Sequence, residues 1–238
     1  MAVESIYDPT FVKNLFNEMA RTYGVVNLIS SFGFAALWRK QCARIITIPC
    51  DSRVLDLMTG MGELCAVLSP SLGKQGRIIG VDLSSEMCAR ARQQLVRHRC
   101  TVEILEADAL ASSLASESAD VIVSSFGLKT FSPDQINRLA EEVARLLKPG
   151  GVFSFLEISV PPNRFLRWPY LNYIRHVIPT IGRVFLGNPE NYRMLGIYTE
   201  RFGHCGGAAR ALEQAGLHVQ QDSYFFGCAT GVSGRKPA

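Results

Sequence analysis

The sequence contains no C-x-x-C pair, no H-E-x-x-H group and no G-x-x-x-x-G-K-[ST] loop. The first absence removes zinc ribbons and thioredoxin-like centres, the second the zinc-protease helix, the third a P-loop. The four histidines, His98, His176, His204 and His218, show no H-x-x-H spacing, so no dedicated transition-metal cage is expected. No run reaches the roughly 18 uncharged apolar residues of a spanning helix. The N-terminus, MAVESIYDPTF, carries Glu4 and Asp8 early and does not read as a secretory signal. The seven cysteines are odd in number and scattered. Reduced, mostly buried thiols and a cytoplasmic protein are the expectation. Charge of one sign is also scarce: 25 Lys and Arg against 21 Asp and Glu leave +4. That excess is too small to imply a nucleic-acid partner, and none is expected.

What remains is an apolar chain, 47% hydrophobic over 238 residues, long enough to bury one sizeable core. No repeat or linker divides it, so residues 1–238 read as a single domain. Residues 8–23 read as an amphipathic helix with Asp8 as N-cap, Pro9 in the first turn and Gly24 as the stop. A second helix is expected over 34–47, with Ala36, Leu37, Ala43, Ile45 and Ile46 as its apolar positions. Residues 1–50 thus form a helical cap. From Arg53 the rhythm changes. Short apolar runs at 54–58, 77–83, 101–108, 119–127 and 151–159 alternate with helical patterns at 62–70, 85–97 and 133–147. That alternation predicts βαβ units, an α/β doubly wound parallel sheet. Residues 218–236 read as two closing strands with little chain between them, hence antiparallel. The segment 160–200 is an insertion before the last helix.

The first chemical signal is Asp56-Leu-Met-Thr59-Gly60-Met61-Gly62-Glu63. A strand ends in an acid and turns through glycines into a helix, at the strand end where open α/β sheets bind ligands. Such turns also serve plain packing. Two further strands end in acids, however: Asp82 in GVDLS and Asp108 in LEADA. An acid at Asp82 can accept from both ribose hydroxyls, and one at Asp108 from an adenine amino group. Met87, one turn after Asp82, is placed to cover an adenine face. The nucleotide is NAD or S-adenosylmethionine. The dinucleotide fingerprint wants a third glycine where Cys65 stands, and Glu63 at the helix start would repel a pyrophosphate. S-adenosylmethionine has no phosphate and carries a sulfonium and an ammonium, which acids suit.

These residues carry a resemblance over nearly the whole chain. YGVVNLISSFGFAALWRK (23–40), VLDLMTGMGEL (54–64), GVDLSSEM (80–87), EADA (106–109), SSFGLK (124–129), LLKPGG (146–151), LEIS (156–159), the run from Asn191 and the closing GCATGVSGRK resemble the class I S-adenosylmethionine methyltransferases. Among them they resemble the UbiE quinone C-methyltransferases. The resemblance implies a Rossmann-like sheet, mostly parallel with an antiparallel C-terminal strand. It implies S-adenosylmethionine as cofactor, with Asp56 and the Thr59-Gly60-Met61-Gly62 turn at its methionine end, Asp82 on the ribose, Asp108 and Ala109 on the adenine, and Ser125 beside it. Tyr23 and Asn27 would close over the site.

Three departures cluster near the expected reaction centre. The family's T-G-T-G-D or G-G-T-G-D reads Thr59-Gly-Met61-Gly-Glu63. Its F-G-L-R-N reads Phe126-Gly-Leu-Lys129-Thr130, and Arg and Lys are not interchangeable at bidentate sites. Its Y-D-x-x-N reads Tyr23-Gly24-Val-Val-Asn27. Such changes around retained nucleotide-holding acids are compatible with altered chemistry. The chain is accordingly also similar to the rhodoquinone-forming RquA relatives, which exchange a quinone methoxy for an amino group and use a divalent metal, thought to be manganese. Were a metal used, Glu63, Asp82, Asp108 and Glu157 would be the available oxygen ligands.

The acceptor implied by the resemblance is a lipophilic quinone or quinol. No acid occurs between Glu157 and Glu190, while Arg164, Arg167, Arg175 and Arg183 interleave with Phe165, Trp168, Tyr170, Tyr173 and Phe185. Residues 160–186 read as a helix on the domain or as a peripheral contact with an anionic membrane face. Activation of a quinol needs a base or an oxygen-holding group. The candidates are Lys129 first, because it directly follows the fourth strand, then Glu157 at the end of the fifth and Tyr192. Arg193, Tyr198 and His204 complete the set.

Overall fold

A computed structural model describes residues 3–95, 99–185 and 187–238. His98, the last residues of the helix expected over 85–97, and residue 186 lie outside them. Seven strands form one sheet in the order β3-β2-β1-β4-β5-β7-β6. These are β1 (Arg53–Leu57), β2 (Arg77–Asp82), β3 (Thr101–Glu106), β4 (Ala119–Ser125), β5 (Leu147–Ile158), β6 (His218–Tyr224) and β7 (Ala229–Arg235). The first five pair in parallel, and β7 runs antiparallel to both β5 and β6. The strand order reverses at β1, between β2 and β4. A crevice opens at such a switch point, outside the carboxyl ends of the strands.

Strands buried on both faces need continuous apolar side chains, which is why VLDL, IIGV and VIVS carry them. One face packs against α6 (Pro133–Leu146) and α10 (Gly206–Gln214), the other against α4 (Glu63–Leu68) and α5 (Ser85–Gln94). Helix α6 starts at a capping box between Ser132 and Gln135, which satisfies two otherwise orphaned backbone N–H groups. Six cysteines are buried and Cys50 is exposed.

The N-terminal helices depart from the periodicity in two places. Asp8 caps α1 (Pro9–Met19) by accepting from the Phe11 N–H, as expected. The helix does not continue to Tyr23. It ends after Met19, and Tyr23 opens a separate helix, α2 (Tyr23–Ser30). Gly24 is therefore inside a helix rather than a stop. A Cβ there would come 2.9 Å from Cε, the free end of the Met61 side chain. In α3 (Phe34–Ile45) the buried stripe is Ala35, Trp38, Arg39 and Cys42, whereas Leu37 and Ile45 face outward. Of the apolar positions expected for this helix, Ala36, Leu37 and Ile45 are exposed, whereas Ala43 and Ile46 pack against the core.

The segment after β5 folds as α7 (Arg164–Asn172), a π turn (Tyr173–Val177), α8 (Ile178–Val184) and α9 (Pro189–Phe202). Pro169 stands inside α7, where its missing N–H interrupts the bonding, and the chain widens directly after. No residue of α7 is buried. Among the described residues no helix is long and apolar enough to cross a membrane.

Candidate functional site

Two cavities meet above the strand ends. The first, about 780 Å³, lies over the carboxyl ends of β1, β2 and β4 and the turn after β3. Of the residues expected on the cofactor, Tyr23, Thr59, Gly60, Asp82, Met87, Asp108, Ala109 and Ser125 line it. Val12 and Phe16 of α1 roof it. Asn17 holds α1 in place by accepting from Ser84 Oγ at 2.6 Å.

The glycine turn after β1 owes its shape to backbone freedom. Gly60 and Gly62 have φ of 59° and 81°, the left-handed region that side chains disfavour. The turn aims the Gly60 N–H at Asp82 Oδ2, 2.8 Å away, and Ser84 donates its N–H to Oδ1 at 2.9 Å. Each Asp82 oxygen keeps a further lone pair toward the cavity. Burial pushes the Asp82 carboxyl up to about 6, with Glu63 adding to the rise and the Ser84 and Gly60 N–H groups opposing it. Asp108 accepts from the Leu110 N–H through Oδ1 at 2.9 Å, leaving Oδ2 for an amino donor.

Asp56 stands behind this wall and does not line the cavity. Its Oδ2 accepts from Thr59 Oγ1 at 2.6 Å and from Cys65 Sγ at 3.2 Å. Its Oδ1 has no partner among the described residues. Burial pushes this carboxyl up to about 7. An unsatisfied carboxylate oxygen beside a second buried acid makes a region that favours a ligand with positive charge. The sulfonium and ammonium of S-adenosylmethionine fit that requirement, and a pyrophosphate does not.

Three more expected cofactor contacts lie elsewhere. Met61 turns away from the cavity into the apolar cluster of α1, α2 and α9. Gly62 packs under Leu95, where a Cβ would approach Leu95 Cδ1 to 2.4 Å. Asn27 lines the second cavity instead.

That second cavity, about 1240 Å³, lies between α2, α3, α7 and α9. Its walls are Val26, Trp38, Leu166, Tyr170, Ile174 and similar apolar side chains, with Lys129 at the end nearest the strands. Tyr23 and Phe126 line both cavities and form the wall they share. Burial, with Glu63 beside it, holds the Tyr23 phenol well above the usual range, so it stays protonated.

The catalytic expectations resolve unevenly. Lys129 reaches the second cavity, but its Nζ is 2.8 Å from Glu157 Oε1 and also donates to the Phe126 carbonyl. Glu157 lines neither cavity. It is wholly buried and accepts from Lys129 Nζ, the Lys129 N–H and the Ile158 N–H. Three donors hold this carboxylate, two on Oε1 and one on Oε2, which places it behind Lys129 rather than at a cavity wall. Tyr192 lines the second cavity, yet its hydroxyl is tied to Thr22 Oγ1 at 2.8 Å. Arg193 is at the surface, paired with Glu190 at 2.9 Å. Tyr198 donates to the Ile6 carbonyl, and His204 Nδ1 accepts from the Gly206 N–H at the start of α10. Among the described residues no three His, Cys, Asp or Glu side chains come together to hold an ion. Glu63 opens α4, Asp82 ends β2 and Asp108 follows β3, while Glu157 is buried against Lys129.

The motifs pointed to neither Arg39 nor Phe126 as site residues. Arg39 is buried on α3 and lines the first cavity. Phe126 holds φ of 66° directly after β4, and Met58 holds φ of 55° after β1. Two bulky residues in the left-handed region at adjacent strand ends are backbone strain of the kind concentrated at functional sites.

The whole chain has known relatives. Residues 3–236 match the ubiE/COQ5 methyltransferase family. Demethylmenaquinone methyltransferases of Bacillus cereus (strain B4264) and Bacillus anthracis (strain A0248) are each 30% identical over 228 residues, 95% of either chain. The same fold occurs in a SAM-dependent methyltransferase from Aquifex aeolicus, with TM-score 0.60 and 19% identity over 89% of this chain and 96% of that one. It occurs again in Haemonchus contortus phosphoethanolamine N-methyltransferase 2 in complex with S-adenosyl-L-methionine, with TM-score 0.56 and 13% identity over 82% of this chain and 51% of that one. With cofactor cavity, strand-end acids and a match from end to end, the chain belongs to the ubiE/COQ5 methyltransferase family and is an S-adenosylmethionine-dependent methyltransferase.

Proposed function

We propose that the protein methylates a lipophilic quinol held in the second cavity. The observation that carries this reading is the shared wall: a cavity bearing the strand-end acids and a larger, more apolar one meet at Tyr23 and Phe126. An apolar pocket with few polar groups suits a ring with a hydrocarbon tail. The demethylmenaquinone methyltransferases similar to this chain support a quinone-type acceptor.

S-adenosylmethionine, when bound, supplies an electrophilic methyl group. The protein contributes alignment and the exclusion of water. Asp82 and Asp108 hold the nucleoside end, and the Thr59–Gly62 turn sets the depth at which it lies. Lys129 acts as a hydrogen-bond donor rather than a base. Two of its three Nζ hydrogens go to Glu157 and the Phe126 carbonyl, and one remains for an acceptor oxygen. A donor there stabilises the negative charge left on a quinol oxygen as its proton passes to solvent at the cavity's outer rim. Glu157 is a positioning residue that keeps Lys129 in place. Tyr192 closes the cavity wall through Thr22. Replacement of a methoxy by an amino group draws no support from these relatives, and the metal it uses has no donor set among the described residues.

The cavity's outer rim extends into an exposed apolar surface. Phe32 and Phe225 line the cavity, while Trp168 and Phe226 stand beside it, 74% and 76% exposed. This aromatic rim suits the interface of an anionic bilayer, where a lipophilic acceptor resides, and the 160–186 segment adds four arginines, of which Arg175 is paired with Glu200.

The test is incubation of purified protein with S-adenosylmethionine and a panel of quinols and quinones, with and without a divalent metal, read by mass spectrometry. A gain of one methyl on a quinol is the expected result. An amino-for-methoxy product would replace this reading with the aminating one. No product on any quinone, with cofactor bound, would overturn the acceptor class.

A further inference from the structure

The cofactor cavity is lined by acids, yet the ligand it takes ends in a carboxylate. Asp82, Asp108 and Glu63 face it and Asp56 lies just behind. An amino-acid carboxylate entering this field needs a cation. Among the described residues two cations line the cavity, Lys13 and Arg39. Lys13 is 2.6 Å from Glu106 at the end of β3, on the Asp108 side, and its side chain is 35% exposed. Arg39 stands at the other end, beside Ser125 and Glu63.

Arg39 is under-committed for a buried guanidinium. Its Nε donates to Ser125 Oγ at 3.2 Å, and its plane lies over the Phe126 ring, 4.9 Å from the centroid. Its Nη2 is 3.6 Å from Glu63 Oε1, an ion-pair distance beyond a hydrogen bond. Among the described residues neither Nη makes a hydrogen bond, although the side chain is only 8% exposed. A buried guanidinium is costly unless its donors are met, and a carboxylate meets them two at a time.

We infer that Arg39 receives the carboxylate of the cofactor's amino-acid end, while Glu63 beside it faces the ammonium. The loose Arg39–Glu63 pair presents one cation and one anion to a zwitterion. The Phe126 contact gives Arg39 a second consequence. The ring it stacks on belongs to the wall between the cavities, so carboxylate binding fixes the partition against which the acceptor rests.

The test is titration calorimetry with three ligands: S-adenosylhomocysteine, its decarboxylated analogue, and 5′-methylthioadenosine, which lacks the amino-acid end. Wild-type protein is expected to prefer S-adenosylhomocysteine to the decarboxylated analogue by about 30-fold, the scale of a charge-assisted bidentate pair. In Arg39→Met that preference falls to within about threefold, and methylthioadenosine binding changes by less than about twofold. Arg39→Lys, which keeps the charge and loses the fork, retains a preference of about fivefold and serves if Arg39→Met does not fold. Equal weakening of all three ligands would assign Arg39 to pinning α3 on β4 and overturn the inference. So would an unchanged preference in either variant. No acceptor is present, so failure here is distinct from failure of the quinol reading.

Discussion

Lys129 and Glu157 form a buried ion pair across the ends of β4 and β5, Nζ to Oε1 2.8 Å, with side chains 4% and 0% exposed. Removing one partner strands the other charge in a dry site, a loss of about 3–5 kcal/mol. Glu157→Gln is therefore expected to lower stability by about that much in urea unfolding. The double variant Lys129→Met/Glu157→Gln removes both charges and is expected to regain most of it. It should nonetheless be inactive with the cofactor still bound, because the donor facing the acceptor is gone. Activity in the folded double variant would remove Lys129 from the mechanism.

Asp56 sets a pH dependence of the ligand-free protein. Burial raises its folded carboxyl from 3.8 to about 7. A raised folded value means that the native state binds the proton more tightly than the unfolded chain. The associated stability is complete below about pH 4 and is lost as pH rises through about 7. Asp56→Asn removes the ionisation, so at pH 8 it should stabilise the ligand-free protein by up to about 4 kcal/mol. Melting temperatures of the two proteins should coincide at and below about pH 4, separate progressively between about pH 4 and 7, and stay apart at higher pH. A separation that shrinks as pH rises would contradict the assignment.

The strand ends were legible because buried parallel strands must be apolar and end where the run ends. That placed Asp82 and Asp108 at the cavity and Asp56 at the end of β1. The exact depth of the turn was not legible. Met61 and Gly62 sit in the motif but point into packing against Gly24 and Leu95, contacts supplied by distant helices. Arg39 escaped for a related reason. An arginine in a short amphipathic helix reads as a solvated face, and only the packing of α3 over β5 shows that the stripe holding Trp38 and Arg39 is the buried one. The Lys129–Glu157 pair likewise depends on two adjacent strands ending at the same level, which spacing along the chain does not encode.

Gly127 packs directly against Met58, across the ends of β4 and β1. A Cβ there would stand 2.5 Å from Met58 Cβ, and Met58 is already held at a positive φ. Gly127→Ala should displace Met58 and weaken S-adenosylhomocysteine binding, with a stability loss of about 1–3 kcal/mol. Met58→Gly in the same chain removes the obstructing Cβ and suits the left-handed backbone. The double variant should recover most of both losses in calorimetry and thermal unfolding. Failure to recover would place the effect of Gly127→Ala somewhere other than this contact.

The exposed aromatics at the acceptor mouth bear on how a lipid-borne substrate arrives. Phe32, Phe225 and Phe226 all have φ between 42° and 56°. Strain in the left-handed region costs about 1–2 kcal/mol per residue, and here it holds apolar side chains in water. Phe226 packs edge-on to Phe225, 5.5 Å between centroids, and Phe225 stacks on Phe34 of the cavity wall at 4.7 Å. The tip is therefore braced against the cavity rather than loose. Replacing Trp168 and Phe226 together by Ser removes two large interfacial side chains and no buried contact of the core. Partition onto vesicles containing anionic lipid is expected to fall at least tenfold in flotation, with S-adenosylhomocysteine affinity and melting temperature unchanged. Raising the salt should weaken wild-type binding through the arginines of the 160–186 segment. Undiminished flotation in the double variant would move membrane contact to another surface and leave the cavity assignment standing.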